Sequence, residues 1–202
     1  AFDTIDHSLL LTRLSSWFGI SGTALLWFES YLSSRSFSVK ASNLCSQPLP
    51  LTCGVPQGSV LGPLLFILYT TPLSHLIQSS AVDHHLYADD TQLYISFSPT
   101  SFSTSIAQLL KVVNLVSEWM SSNLLCLNPS KTEFILIGLP DQIKKIPDPT
   151  IHLPSSSSSL PFTSDAPVRN LGVTFDPQLS FSNHISNRSR SCFMHIRDLR
   201  RI

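Results

Sequence analysis

The chain has 202 residues, of which 43% are hydrophobic and 13% charged, and its 13 Lys plus Arg balance 13 Asp plus Glu. That length suits one domain or one and a half, and the charged share is about half the globular average of roughly 25%. No run of about twenty apolar residues exists, so neither a membrane span nor a signal peptide is expected. Zero net charge also argues against a broadly basic surface of the kind that phosphate backbones attract. The positive charge is uneven, however: Arg188, Arg190, Arg197, Arg200 and Arg201 crowd the C-terminal end. That cluster suits a phosphate contact and a solvated helix face equally.

In chain order, Leu9, Leu10, Leu14, Trp17 and Phe18 have helical spacing over residues 8–18, ended by Gly19. Asp3 and Asp6 precede this helix and suit helix-start roles. Ser21 is placed to cap a second helix with Leu25, Leu26, Phe28, Glu29 and Leu32. Phe37, Val39 and Ala41 alternate as a strand, with 44–51 as its return. Gly and Pro mark 54–58 as a loop. A helix is expected from Val60 to Ile77, with Pro63 in its first turn. Ala81 to Tyr87 and Leu93 to Phe97 read as two strands, and residues 102–120 as a helix. Thr132 to Ile137 and Arg169 to Phe175 read as strands, and Phe181 onward as a helix. Residues 139–166 are rich in Pro and Ser, which predicts a flexible insertion between 1–138 and 167–202. Helices and strands mix without a βαβ rhythm, so the fold class is α+β.

Tyr87-Ala88-Asp89-Asp90 stands between the two central strands, with the Asp-Asp pair as the expected hairpin link. Two adjacent carboxylates repel, and a divalent cation with a preference for hard oxygen ligands relieves that repulsion. Phosphoryl-transfer enzymes hold paired metal ions in this way. A bare Asp-Asp turn is more often only solvated, so the neighbouring blocks decide. His84 and His85 on one strand point to opposite faces and do not easily share an ion. Cys45, Cys53, Cys126 and Cys192 lack metal-ligand spacing and are expected to be buried or inert thiols.

Three further blocks surround the acidic pair. They are Ala1-Phe2-Asp3-Thr4-Ile5-Asp6-His7, then Cys53 to Pro63 with Pro56-Gln57-Gly58 inside it, then Leu127-Asn128-Pro129-Ser130-Lys131-Thr132-Glu133. In this order and spacing, the chain resembles the reverse transcriptase of non-LTR (LINE-type, jockey-like) retrotransposons from residue 1 to at least 185. The resemblance implies a polymerase palm, an antiparallel sheet packed on helices, with the start of a helical thumb at 167–202 and the fingers absent.

The resemblance also implies roles residue by residue. Asp89 and Asp90 would be metal carboxylates for two Mg²⁺ ions, with Mn²⁺ as a substitute. Tyr87 would face the primer end, and Leu171 and Gly172 would belong to the primer-gripping strand. Phe2 would be the aromatic gate under the nucleotide sugar, and Gln57 and Gly58 would border the nucleotide pocket. Lys131 would protonate the leaving pyrophosphate. The partner of Asp89 on a second strand would lie three places before Ala1, outside this chain, so Asp3 and Asp6 are not expected to hold metal. The implied function is that of an RNA-directed DNA polymerase fragment. Its partners would be an RNA template, a DNA primer and deoxynucleoside triphosphates, with no membrane and no firm protein partner. The intact protein would be intracellular, in the nucleus. The alternative is a catalytically inactive remnant that keeps the fold and weak nucleic-acid binding.

Overall fold

A computed structural model describes residues 2–42, 44–146, 151–152, 159–160 and 167–200. Phe2–Thr4 form a 3₁₀ turn, followed by α1 (His7–Ser16) and α2 (Gly22–Leu32). Asp6 is the N-cap of α1: the Leu9 N–H donates to its Oδ1 at 2.8 Å. This is the helix-start role expected of it. Ser21 stands at the N-cap of α2, but its side chain makes no capping bond.

A two-stranded ribbon follows, built from β1 (Ser36–Phe37), β2 (Lys40–Ala41), β3 (Leu44–Cys45) and β4 (Leu49–Pro50). Ser36 pairs with Pro50 and Phe37 with Leu49, whereas Lys40 pairs with Cys45. The return side therefore carries one extra residue, and Ser46 accommodates it by accepting the Val39 N–H on its hydroxyl at 2.9 Å.

Helix α3 (Leu61–Gln78) starts where Ser59 Oγ accepts the Gly62 N–H at 3.0 Å. It carries Leu65, Phe66 and Tyr69 into a core shared with Ile5, Leu10, Leu14, Leu32, Val55 and Leu125. The antiparallel strands β5 (Asp83–Tyr87) and β6 (Asp90–Tyr94) come next, and β5 packs on α3. Helix α4 (Phe102–Ser122) buries Val112, Val113 and Val116. A short α5 (Pro140–Ile143) and the pair β7 (Ile151–His152) with β8 (Ser159–Leu160) lie inside the segment expected to be a flexible insertion. The rest of the Ser-rich stretch lies outside the described residues. The chain ends with β9 (Val168–Asn170), β10 (Val173–Phe175) and α6 (Ser182–Leu199).

The chain forms two compact units, one of Ala1–Ile95 with Lys111–Leu127 and one of Ser96–Leu110 with Asn128–Ile202. The α+β mixture is as expected, and each sheet among the described residues is a two-stranded antiparallel pair. Two expected strands differ. Residues 132–137 make no strand ladder, although Leu136 is buried. Residues 169–175 are not one strand but the hairpin β9–β10, because Leu171 and Gly172 adopt positive φ of 45° and 83° and turn the chain.

In the first unit, half-buried Arg13 of α1 reaches α3 and the end of α4. Its guanidinium stands 4.4 Å from the Tyr69 ring centroid and 5.4 Å from that of Trp119. It donates to the Tyr69 carbonyl and to Asn123 Oδ1, and Tyr69 Oη donates to the Asn123 carbonyl at 2.8 Å. Among the described residues, carbonyl oxygens and π faces rather than a carboxylate balance this charge, and burial lowers its pKa.

Candidate nucleotide and metal site

The hairpin tip is shifted by one residue from its expected place. Tyr87 pairs with Asp90, so the two-residue turn is Ala88-Asp89 and Asp90 already opens β6. Ala88 takes φ 52° and Asp89 does not share it, the sign pattern of a type II′ hairpin turn. Alternation then sorts the side chains. Asp83, His85 and Tyr87 are exposed, while His84 and Leu86 are half-buried toward α3. His84 Nε2 lies 2.7 Å from Ser74 Oγ on α3. Register puts Asp90 on the face of Tyr87, which is 59% exposed. Both carboxylates are exposed, and among the described residues neither has a hydrogen bond or ion pair.

Phe2 and Gln57 are brought together, 55 positions apart in the sequence. The opening turn and the Gly-rich loop are laced by main-chain bonds, Val55 N–H to the Phe2 carbonyl at 2.9 Å and Gly54 N–H to the Ile5 carbonyl at 2.7 Å. His7 Nε2 lies 2.7 Å from the Gly54 carbonyl, and Cys53 Sγ donates to the Asp3 carbonyl at 3.2 Å. Asp6 and Cys53 form an antiparallel bridge. Gln57 Nε2 donates to Asp3 Oδ1 at 2.7 Å, on the exposed side. The Phe2 ring packs at 5.2 Å on Phe66 of α3 and is half-buried. Gly58 follows with φ +74° and open space where a side chain would stand, so a backbone approach there is unobstructed.

Lys131 belongs to the second unit. It is exposed at the end of a 3₁₀ turn, Pro129–Lys131, that Asn128 locks by accepting the Ser130 N–H at 3.1 Å and its hydroxyl at 2.7 Å. Also in that unit, Leu171 and Gly172 form the β9–β10 turn, and Arg188 of α6 donates to the Gly172 carbonyl at 2.8 Å. Arg188 therefore has a structural contact. Arg190, Arg197 and Arg200 are exposed, and Arg201 lies outside the described residues. All four cysteines are free thiols; three are exposed and Cys53 is half-buried, so of the expected buried or inert thiols none is buried.

Sequence reasoning gave Asp3 only a helix-start role and passed over Asp176, two carboxylates that the structure makes prominent. Asp3 accepts from Gln57 over a separation of 54 residues, a contact that local pattern cannot show. Asp176 is buried and accepts the N–H groups of Gln178, Ser180 and Phe181, closing the loop before α6. The spacing Asp-x-x-x-Ser just ahead of a helix was the available signal.

Within the first unit the motif blocks thus build two features, an exposed two-carboxylate hairpin tip and a loop laced to the opening turn through Gly54, Val55 and Gln57. The chain belongs to the reverse transcriptase (RNA-dependent DNA polymerase) family, whose model matches residues 1–175. It is 30% identical to the probable RNA-directed DNA polymerase from transposon BS of Drosophila melanogaster, over 99% of this chain and 22% of that relative. It is 26% identical to the RNA-directed DNA polymerase from mobile element jockey of the same species, over 93% of this chain and 20% of the relative. With the jockey enzyme of Drosophila funebris the identity is 29%, over 95% of this chain and 20% of the relative. The chain thus spans about a fifth of the length of these curated relatives. The non-LTR resemblance carried by the motifs is upheld.

Proposed function

We propose that this chain is the palm, with the start of the thumb, of an RNA-directed DNA polymerase that extends a DNA primer on an RNA template. On this reading 1–138 is the palm core, 139–166 an insertion and 167–202 the primer grip and first thumb helix. The observation that carries the reading is the hairpin tip, where Asp89 and Asp90 are exposed carboxylates without other partners among the described residues. Hard oxygen donors of this kind fit Mg²⁺ or Mn²⁺, so Asp89 and Asp90 would hold the metal. Two such ions, when bound, lower the pKa of the primer 3′-hydroxyl and stabilise the leaving pyrophosphate.

The remaining work falls to the chain's own side chains. Tyr87 presents a ring beside Asp90 for the primer end. Phe2 limits the space under the nucleotide sugar, and Gln57 and Gly58 border its pocket. Lys131 supplies a proton to the leaving group. Leu171 and Gly172 hold the primer through a turn rather than along a strand.

One observation favours a second reading. The 13 Lys plus Arg are balanced by 13 Asp plus Glu, an even charge that suits an inactive remnant with weak nucleic-acid binding. Primer extension on an RNA template separates the two, using a polypeptide that carries residues 1–202 in their native context. The first reading expects Mg²⁺-dependent synthesis, slowed about 10²-fold or more by Lys131→Ala with primer binding retained. Absence of synthesis, with binding unaffected by Asp89→Asn, would favour the remnant.

A further inference from the structure

We infer that Asp3 is a positioning residue that fixes which end of the Gln57 amide faces the nucleotide; this rests on the proposed role of Gln57. Gln57 and Asp3 meet at 2.7 Å on the exposed side of the laced frame. An ionised carboxylate offers only acceptors, whereas a glutamine amide offers a donor end and an acceptor end. The end that faces Asp3 must therefore be Nε2. Oε1 and the second N–H of Nε2 are left for a ligand.

A glutamine alone on an exposed loop rotates freely and presents either end. With Asp3 in place, Gln57 offers its carbonyl as an acceptor, and the matching ligand group is a donor such as a sugar hydroxyl. The backbone beneath is rigid enough for this to matter. Gly54 and Val55 are bonded to Ile5 and Phe2, so Asp3 moves with the loop that carries Gln57. Asp3 thus acts on the nucleotide through Gln57, and holds no metal.

The test is steady-state primer extension by a polypeptide that contains residues 1–202, with one deoxynucleoside triphosphate varied. Gln57→Ala and Asp3→Ala should each raise its KM about 3- to 10-fold, the size of one ordinary hydrogen bond, with kcat nearly unchanged. The double variant should be no worse than Gln57→Ala alone, because the two act as one unit. Asp3→Asn should raise KM less than Asp3→Ala, since Asn still offers an acceptor to Nε2 but also a donor that lets the Gln57 amide turn over.

In the 1–202 chain, Asp3→Ala should also shift the NMR resonances of the Gln57 side-chain amide, whatever the catalytic outcome. If Asp3→Ala lowers the folded fraction, the exchange pair Asp3→Asn with Gln57→Glu keeps the bond with donor and acceptor interchanged. That pair should recover KM lost by Gln57→Glu alone. A KM that rises in Gln57→Ala but not in Asp3→Ala, or effects that add in the double variant, would overturn the inference and leave the role of Gln57 standing. An unchanged KM in Gln57→Ala would remove that role, and this inference with it.

Discussion

Gly54 lies against the backbone of Asp3 so closely that a Cβ on it would stand 2.9 Å from the Asp3 carbonyl oxygen and 3.0 Å from its Cα. The obstacle is main chain, which cannot swing aside. Gly54 also holds φ +87°, where a side chain is strained whatever the space. Both effects tie the opening turn to the Gly-rich loop, and so Phe2 to Gln57. Gly54→Ala should lower stability by about 2–4 kcal/mol, measured by urea denaturation. Gly58→Ala has open space and should cost only the φ strain, about 1–2 kcal/mol.

Arg13→Ala should destabilise the first unit by about 2–4 kcal/mol. The Tyr69 carbonyl and Asn123 Oδ1 would lose their donor, and two aromatic faces would lose their cation. Arg13→Lys should recover only part of this, because an ammonium lacks the planar fork that reaches both acceptors. Thermal melts of the two variants check the order.

The helices were the legible part of the fold. Apolar spacing located α1, α3 and α4 to within a few residues, because each buries one continuous stripe. The turns were less legible. At the hairpin tip the acidic pair looked like the link, but backbone geometry gave the positive φ to Ala88, moving Asp90 into the strand. At Leu171 a bulky residue in a left-handed conformation hid a turn inside an apolar run. The blocks of the candidate site were visible as words in the sequence. Their lacing, over separations near fifty residues, was not.

Leu171 gives a separable test of the primer-grip proposal. It is 46% exposed at φ 45°, a conformation asparagine tolerates better than leucine. Leu171→Asn creates the Asn-Gly pair favoured in a turn with two positive φ values. It should stabilise the hairpin by about 0.5–1 kcal/mol, seen as a higher melting temperature. If Leu171 touches the primer, primer affinity should fall in the same variant.

Asp176 makes stability depend on acid. Its carboxyl is held below the usual carboxylate range by the N–H of Ser180 first, then by the Phe181 N–H and the Ser180 hydroxyl. A carboxyl with a folded pKa below its unfolded value binds its proton less tightly when folded. Its stabilisation is full above the unfolded value of 3.8 and is lost as pH falls through the lower folded value. Asp6 acts in the same direction, lowered chiefly by the Ser8 hydroxyl and then by the Leu9 N–H. Melting temperature should therefore drop from about pH 5 downward, and less steeply in Asp176→Asn, which has already lost that contribution at neutral pH.

The most direct test of the proposed polymerase centre compares Asp89→Asn with Asp3→Asn in primer extension on an RNA template. The polypeptide must carry residues 1–202, with Mg²⁺ or Mn²⁺ supplied. Asn keeps the shape of Asp and removes the ligand charge. The proposed site predicts that Asp89→Asn abolishes synthesis, whereas Asp3→Asn retains it, with no more than the few-fold KM rise that comes from freeing the Gln57 amide. Loss of synthesis in Asp3→Asn with Asp89→Asn tolerated would contradict it and move the metal site to the opening turn.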